Sequence, residues 1–278
     1  MKSAIFNYLH RSTRVFSCAI LFLASCNFAF GQDFLALSEQ IKYLSPKSTI
    51  IKFSEDDTDP YFAVKIATQT KSSKGVALIF HGHGEHPDSP GVIHTLRTHL
   101  PKYGWDTLSL QFPDSDEELN IYKKQLAIFL ASQQLKDIVL INRGANTQDA
   151  LNSLPSDFAT PLAIVTISLS AKTGDDRDIV NLITKFNSPF LDIYGQRDYT
   201  YVKSAGRQRA SIMNDLANNT ETEPQAKYQQ MIVPIANHAF RGQEHTLAKR
   251  IAGWLKKNTS KRTIRIETTE VVQKKSED

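Results

Sequence analysis

No cysteine follows Cys26, and the only other one is Cys18. The body of the chain therefore has no disulfide, no thiol nucleophile and no thiolate metal site. Long apolar runs are also missing: VFSCAILFLASC, residues 15–26, falls short of the roughly 20 residues a membrane helix needs. Charge of one sign is not in excess. The formal net charge is +4, and without Lys2, Arg11 and Arg14 the 33 basic residues fall to 30, against 29 acidic ones. That balance calls for no nucleic-acid partner. Between His99 and His238 there is no histidine, so no metal site can draw on an imidazole from the middle of the chain.

What stands first is an export signal. Lys2, Arg11 and Arg14 precede the short apolar run, the pattern of a secretory signal peptide. Two exits are open. Small residues before Gln32 suit a signal peptidase and give a signal peptide over residues 1–31. LASC, residues 23–26, resembles a bacterial lipobox, which would end the signal at residue 25 and acylate Cys26. A cysteine-free body behind such a signal suits a bacterial periplasmic protein, held to a membrane only if Cys26 carries lipid.

From residue 32 to 258, apolar runs alternate with stretches of helical period. STIIKFSE, YFAVKIAT, GVALIF, WDTLSLQFP, DIVLIN, LAIVTISL, PFLDIYG and YQQMIVPI read as strands. Between and after them, GVIHTLRTHLPKYG, residues 116–134, NTQDALNSL, DRDIVNLITKF, YVKSAGRQRASIMNDLAN and HTLAKRIAGWLKK read as helices. Regular alternation predicts an α/β fold whose mostly parallel central sheet is covered by helices on both faces. Between Ser170 and Pro189 there is room for one short helix, so no large lid is expected. Residues 259–278 are polar and read as a C-terminal tail, in which only TIRIETTEVV has a strand-like composition.

The stretch IFHGHGEHPDSPG follows a central strand and admits two chemistries. In one, His81, His83, Glu85 and His86 are ligands; their spacing resembles the His-x-His-x-Asp-His signature of the metallo-β-lactamase-like hydrolases, which implies zinc. That arrangement needs a further mid-chain histidine, and this chain has none, so neither a metal nor another cofactor is expected. In the other, HGHG is a glycine-rich turn at the carboxyl end of a parallel strand, where ligands bind. VALIFHGHGEH is similar to the HG-x-GEH loop of the lysophospholipase and monoacylglycerol lipase branch of the α/β-hydrolases. The resemblance implies an oxyanion-hole loop over His81, Gly82, His83 and Gly84.

Two later stretches fall where that fold carries its acid and its base: PFLDIYGQRD supplies Asp198 and VPIANHAF supplies His238. The nucleophile belongs within Gly-x-Ser-x-Gly on the tight turn after the central strand. Here the turn after DIVLIN reads NRGAN, with Asn142 and Asn146 in place of the glycines and Gly144 in place of the nucleophile. Ala145 follows it and would offer the second oxyanion N–H. Thr147 already begins the helix, and Ser168 and Ser170 end the neighbouring strand outside any elbow pattern. Glycine adopts without cost the positive φ that the nucleophile position demands, so the turn reads as an elbow that keeps its shape without its hydroxyl.

Residues 32–258 thus resemble the α/β-hydrolase superfamily. HPDSPGVIHTLRTHLPKYGWDTLSLQFP is similar to an uncharacterised proteobacterial family of exported α/β-hydrolase-like proteins, whose members often have the same degenerate elbow. The expectation is an exported protein without a nucleophile that binds a small ligand or protein partner through the Asp198 and His238 remnant. A weak ester hydrolase using His238 and Asp198 with water or another serine is the alternative, and a zinc hydrolase on the histidine cluster is a further one.

Overall fold

The computed structural model describes residues 34–54, 61–113, 115–171, 175–219 and 227–275. The segment read as an export signal, with Cys26 and Gln32, lies outside the described residues. The chain divides into two compact units, residues 1–39 and 40–278. Of the first, the described part is the start of helix α1 (Phe34–Leu44), which the sequence pattern does not single out.

The second unit carries the sheet. All eight expected strands form: β1 (Thr49–Lys52), β2 (Phe62–Ile66), β3 (Val76–Phe80), β4 (Asp106–Leu110), β5 (Ile138–Arg143), β6 (Ala163–Ile167), β7 (Phe190–Arg197) and β8 (Tyr228–Asn237). Their order across the sheet is β1-β2-β4-β3-β5-β6-β7-β8. β2 is antiparallel to both its neighbours, and from β4 to β8 every pairing is parallel.

The strand sequences are apolar without interruption because both faces are covered. In β5, Val139 and Ile141 project to one face, where they join Ile79, Val165 and Ile193 in one core with Leu96, Leu247, Ile251 and Leu255. Ile138 and Leu140 project to the other, with Leu78, Phe80 and Ile164 under Tyr122, Leu126, Ile179 and Ile183. The helices that supply these covers are α2 (Val92–His99), α3 (Leu119–Gln133), α4 (Thr147–Asn152), α5 (Asp176–Thr184), α6 (Thr200–Asn219) and α7 (Glu244–Lys275). In α3, Tyr122, Leu126, Phe129 and Leu130 form the buried stripe at helical spacing.

The last helix is longer than the stretch HTLAKRIAGWLKK that reads as helical in the sequence. Helix α7 runs on through residues 259–275, so the stretch set apart as a polar tail, including TIRIETTEVV, is helical. No glycine or proline interrupts it after Gly253, which leaves nothing local to end the helix.

Candidate functional site

The carboxyl ends of β3, β5, β6, β7 and β8 lie along one edge of the sheet. At the last pair the strands come unusually close. A Cβ at Gly195 would collide with the Ala236 carbonyl, and the register between β7 and β8 shifts between Gly195 and Arg197. Glycine is needed there for space. Just beyond it the Asp198 N–H donates to the Gly195 carbonyl at 3.0 Å, turning the acid toward β8. His238 answers from the turn after β8: its Nδ1 lies 2.7 Å from Asp198 Oδ1. The backbone on either side of His238 is strained, with Ile235 at φ 64 and Phe240 at φ 53. A β-branched residue in the left-handed region is a genuine outlier, costing roughly 1–3 kcal/mol.

Asp198 is buried and richly bonded. Its carboxylate also accepts from Ser168 Oγ at 2.6 Å, the Tyr199 N–H at 2.8 Å and the Gly195 N–H at 3.3 Å. Burial pushes its pKa up, but the hydrogen bonds from His238, Ser168 and Tyr199 outweigh burial and hold the carboxyl below its ordinary value. An ionised carboxylate takes the Nδ1–H of a neutral imidazole and leaves the lone pair on Nε2, the arrangement of a general base. Tyr199 packs against the His238 ring at a centroid distance of 4.6 Å. Ser168, a candidate nucleophile in the sequence, is fully buried and spends its hydroxyl on Asp198. It is a support for the acid.

A tight turn joins β5 to the next helix. β5 ends at Arg143, a 3₁₀ turn covers Gly144–Asn146, and α4 begins at Thr147. Gly144 has φ 65. A Cβ added there would meet only Gly82 Cα, at 3.9 Å, so the HGHG loop lies beside the elbow tip and a side chain would fit. The Thr147 hydroxyl donates to the Gly144 carbonyl at 2.9 Å and is used up in the turn.

The histidine cluster does not converge. His81 is buried; its Nε2 accepts from the Phe112 N–H at 3.0 Å and its Nδ1 donates to the Gly82 carbonyl at 2.9 Å, which leaves no ring nitrogen for a metal. His83 is exposed, and His86 Nδ1 accepts from the Asp88 N–H at 3.2 Å. Burial lowers the pKa of His86. Among the described residues no group of three or more His, Cys, Asp or Glu side chains is placed to hold a metal. Glu85 serves the loop instead, since Oε2 accepts from the Gly82 N–H at 2.8 Å while Oε1 lies 3.1 Å from the Arg143 guanidinium. The carboxylate ties the loop to the elbow, and it takes the Gly82 N–H that the oxyanion reading had counted among its donors.

Sequence reasoning missed the buried charges packed around the sheet. Arg97 of α2 is fully buried and donates through Nε to Asp88 at 2.9 Å, with a second contact from its NH2 nitrogen. It also reaches Ser48 Oγ at 2.7 Å and Ser45 Oγ at 3.2 Å. His94 Nδ1 joins Asp88 at 2.7 Å. Arg209 of α6 similarly bridges Asp192 at 3.0 Å and Asp176 at 2.7 Å. No local spacing announces either network, because the partners come from different elements.

Beside the elbow lies a cavity of about 370 Å³ bordered by His83 and Ala145, the two positions that the resemblance assigns to an oxyanion hole from opposite sides.

Residues 32–128 match a family model described as "Protein of unknown function (DUF3530)". The matched residues end before the elbow. No curated protein sequence matches the chain. Among solved structures, Est1E from Butyrivibrio proteoclasticus is similar at a TM-score of 0.57 and 12% identity, over 76% of this chain and 98% of that one. The Pyrococcus furiosus esterase PF2001 is similar at a TM-score of 0.57 and 14% identity, over 79% and 94%. Dienelactone hydrolase from Anabaena variabilis is similar at 0.54 and 15% identity, over 76% and 98%. Identities this low speak for architecture, and the architecture is the α/β-hydrolase fold.

Proposed function

We propose that this chain is an exported α/β-hydrolase-like protein that has lost its nucleophile and binds a small ligand or protein partner through the remainder of the active site. The observation that carries the reading is Gly144 at φ 65 on the tip of a strand–turn–helix, in a chain that keeps the 2.7 Å Asp198–His238 hydrogen bond. The pair an acid and a base would make is kept, while the turn residue in the nucleophile's place has no side chain. Losing the nucleophile from a triad costs on the order of 10⁶ in turnover. Ordinary esterase activity is therefore not what the site offers. Export is supported by the basic residues and short apolar run before Gln32, and a periplasmic location follows from it, with Cys26 as the candidate point of lipid attachment.

A second reading, hydrolysis by water activated at His238, is favoured by the hydrogen bonds from His238, Ser168 and Tyr199 that hold Asp198 below its ordinary pKa. Hydrolysis of p-nitrophenyl acetate separates the two. The binding reading expects wild type and His238→Ala to be equal and Gly144→Ser to gain turnover. A wild-type rate that falls on His238→Ala supports the water reading instead.

A further inference from the structure

We infer that the free edge of β8 is a docking strand, which takes up an extended acidic segment of a partner protein by β-augmentation. The inference is independent of the remnant site. β8 closes the sheet beside β7. The Phe190 N–H donates to the Lys227 carbonyl at 3.0 Å, and the register pairs Phe190 with Tyr228. In a parallel pair this turns Gln229, Met231 and Val233 toward β7 and leaves the N–H and C=O of Tyr228, Gln230 and Ile232 facing outward. Among the described residues no hydrogen bond reaches those outward groups. Pro234, next in the outward set, has no N–H and ends the row. Exposed edges are ordinarily kept short or carry charge. The opposite edge, β1, is 4 residues long and ends in Lys52. β8 runs for 10 residues, YQQMIVPIAN, without a charged side chain, and Ile232 is 50% exposed.

The helices beside this edge set the partner's charge. On α7, Trp254 donates through Nε1 to Gln229 at 2.9 Å. Ile251 and Leu255 lie on the core side of Trp254, so at helical spacing the exposed Arg250 and Lys257 stand on its outer side. On α6, over the other face, the Gly206 carbonyl accepts from Gln230 Nε2 at 2.7 Å. Arg209 points inward along the sheet to Asp176 of α5, so Lys203 and Arg207 stand on the opposite flank, toward the edge. None of these four outer cations is in an ion pair among the described residues. The edge is thus an uncharged backbone ladder between two basic rims. A strand with acidic side chains on both its faces complements the ladder and the rims together. A second copy pairing antiparallel would instead set each basic rim against its own like charge, which costs affinity.

The probe is the fluorescein-labelled peptide Glu-Glu-Thr-Val-Thr-Glu-Glu, which as a strand puts acids on both faces, titrated by fluorescence anisotropy. Wild type is expected to bind it saturably, and its counterpart with lysine in place of glutamate about tenfold or more weakly. Raising NaCl from about 0.05 M to about 1 M, which cuts the Debye length to about 3 Å, should weaken the acidic peptide about tenfold. Ile232→Pro removes one outward N–H and no bond to β7, and should weaken binding by about tenfold. Arg207→Glu combined with Arg250→Glu, two exposed positions, should weaken it at least as much, so a misfolded proline variant does not leave the matter open. His238→Ala should bind the peptide as wild type does. No saturable binding by wild type, unchanged affinity in the double variant, equal binding of the lysine peptide, or binding indifferent to salt would each overturn the inference. Loss of binding in His238→Ala would overturn it too, by moving the peptide to the remnant site. So would a dimer in sedimentation velocity that Ile232→Pro dissolves, because the edge would then belong to a second copy.

Discussion

Ser168 and Asp198 are joined across neighbouring strands by a 2.6 Å hydrogen bond, and Ser168 holds a left-handed backbone, φ 52, to make it. The Ser168 N–H is fixed to the Ile193 carbonyl at 2.7 Å, so the strained residue is anchored at both ends. Removing the hydroxyl leaves the strain and takes away a hydrogen bond to a buried charge, worth about 1.5–3 kcal/mol. Ser168→Ala is expected to lose that much stability in chemical denaturation. A loss under about 0.5 kcal/mol, the range of a neutral surface change, would show that Asp198 does not depend on it.

The lowered pKa of Asp198 also sets a pH dependence. Burial opposes ionisation, but the bonds from His238, Ser168 and Tyr199 prevail, so the folded pKa lies below the unfolded one. The stabilisation is therefore fully present above the unfolded value, about 3.9, and is lost as pH falls through the folded one. The part of the stability difference between wild type and Asp198→Asn that comes from the carboxylate should shrink as pH falls below about 4. Denaturation curves that stay equally far apart down to about pH 3, well below the unfolded pKa, would contradict this.

Asp88 and Arg97 form a buried pair, whereas Asp175 and Arg177 form one at the surface. Breaking a buried pair strands a charge and costs about 3–5 kcal/mol. Arg97→Met is expected to lower stability by that amount, and Arg177→Ala to leave the urea midpoint where it was. Equal effects from the two changes would mean that the Arg97 network is not holding α2.

The sheet was legible because its strands are buried on both faces and the helices between them keep a 3.6-residue period. Asp198 and His238 were legible for a related reason: each stands at a strand end whose place in the order is fixed by that alternation. Gly144 was legible as a departure from a known turn. Ser168, Glu85 and Arg97 were not, since their roles depend on partners 30, 58 and 9 residues away that only the folded sheet brings near. The histidine cluster is the converse case. Its spacing is that of a metal site, but the backbone of Phe112 claims His81 first.

Export gives a prediction independent of the fold. Protein recovered from the native host is expected to begin at Cys26 or at Gln32, read by N-terminal mass spectrometry. A lipid-modified Cys26 would select the first. An intact Met1 in an exported fraction would contradict both.

The central claim is that the elbow and the acid–base pair still share a catalytic geometry. Gly144→Ser tests it most directly. The new Cβ has room, since its nearest neighbour is Gly82 Cα at 3.9 Å, but serine at φ 65 carries a penalty of roughly 1–3 kcal/mol. The variant should thus be slightly less stable than wild type and should hydrolyse p-nitrophenyl acetate measurably faster, with the gain abolished by adding His238→Ala. A folded Gly144→Ser protein that hydrolyses the ester no faster than wild type would contradict the account.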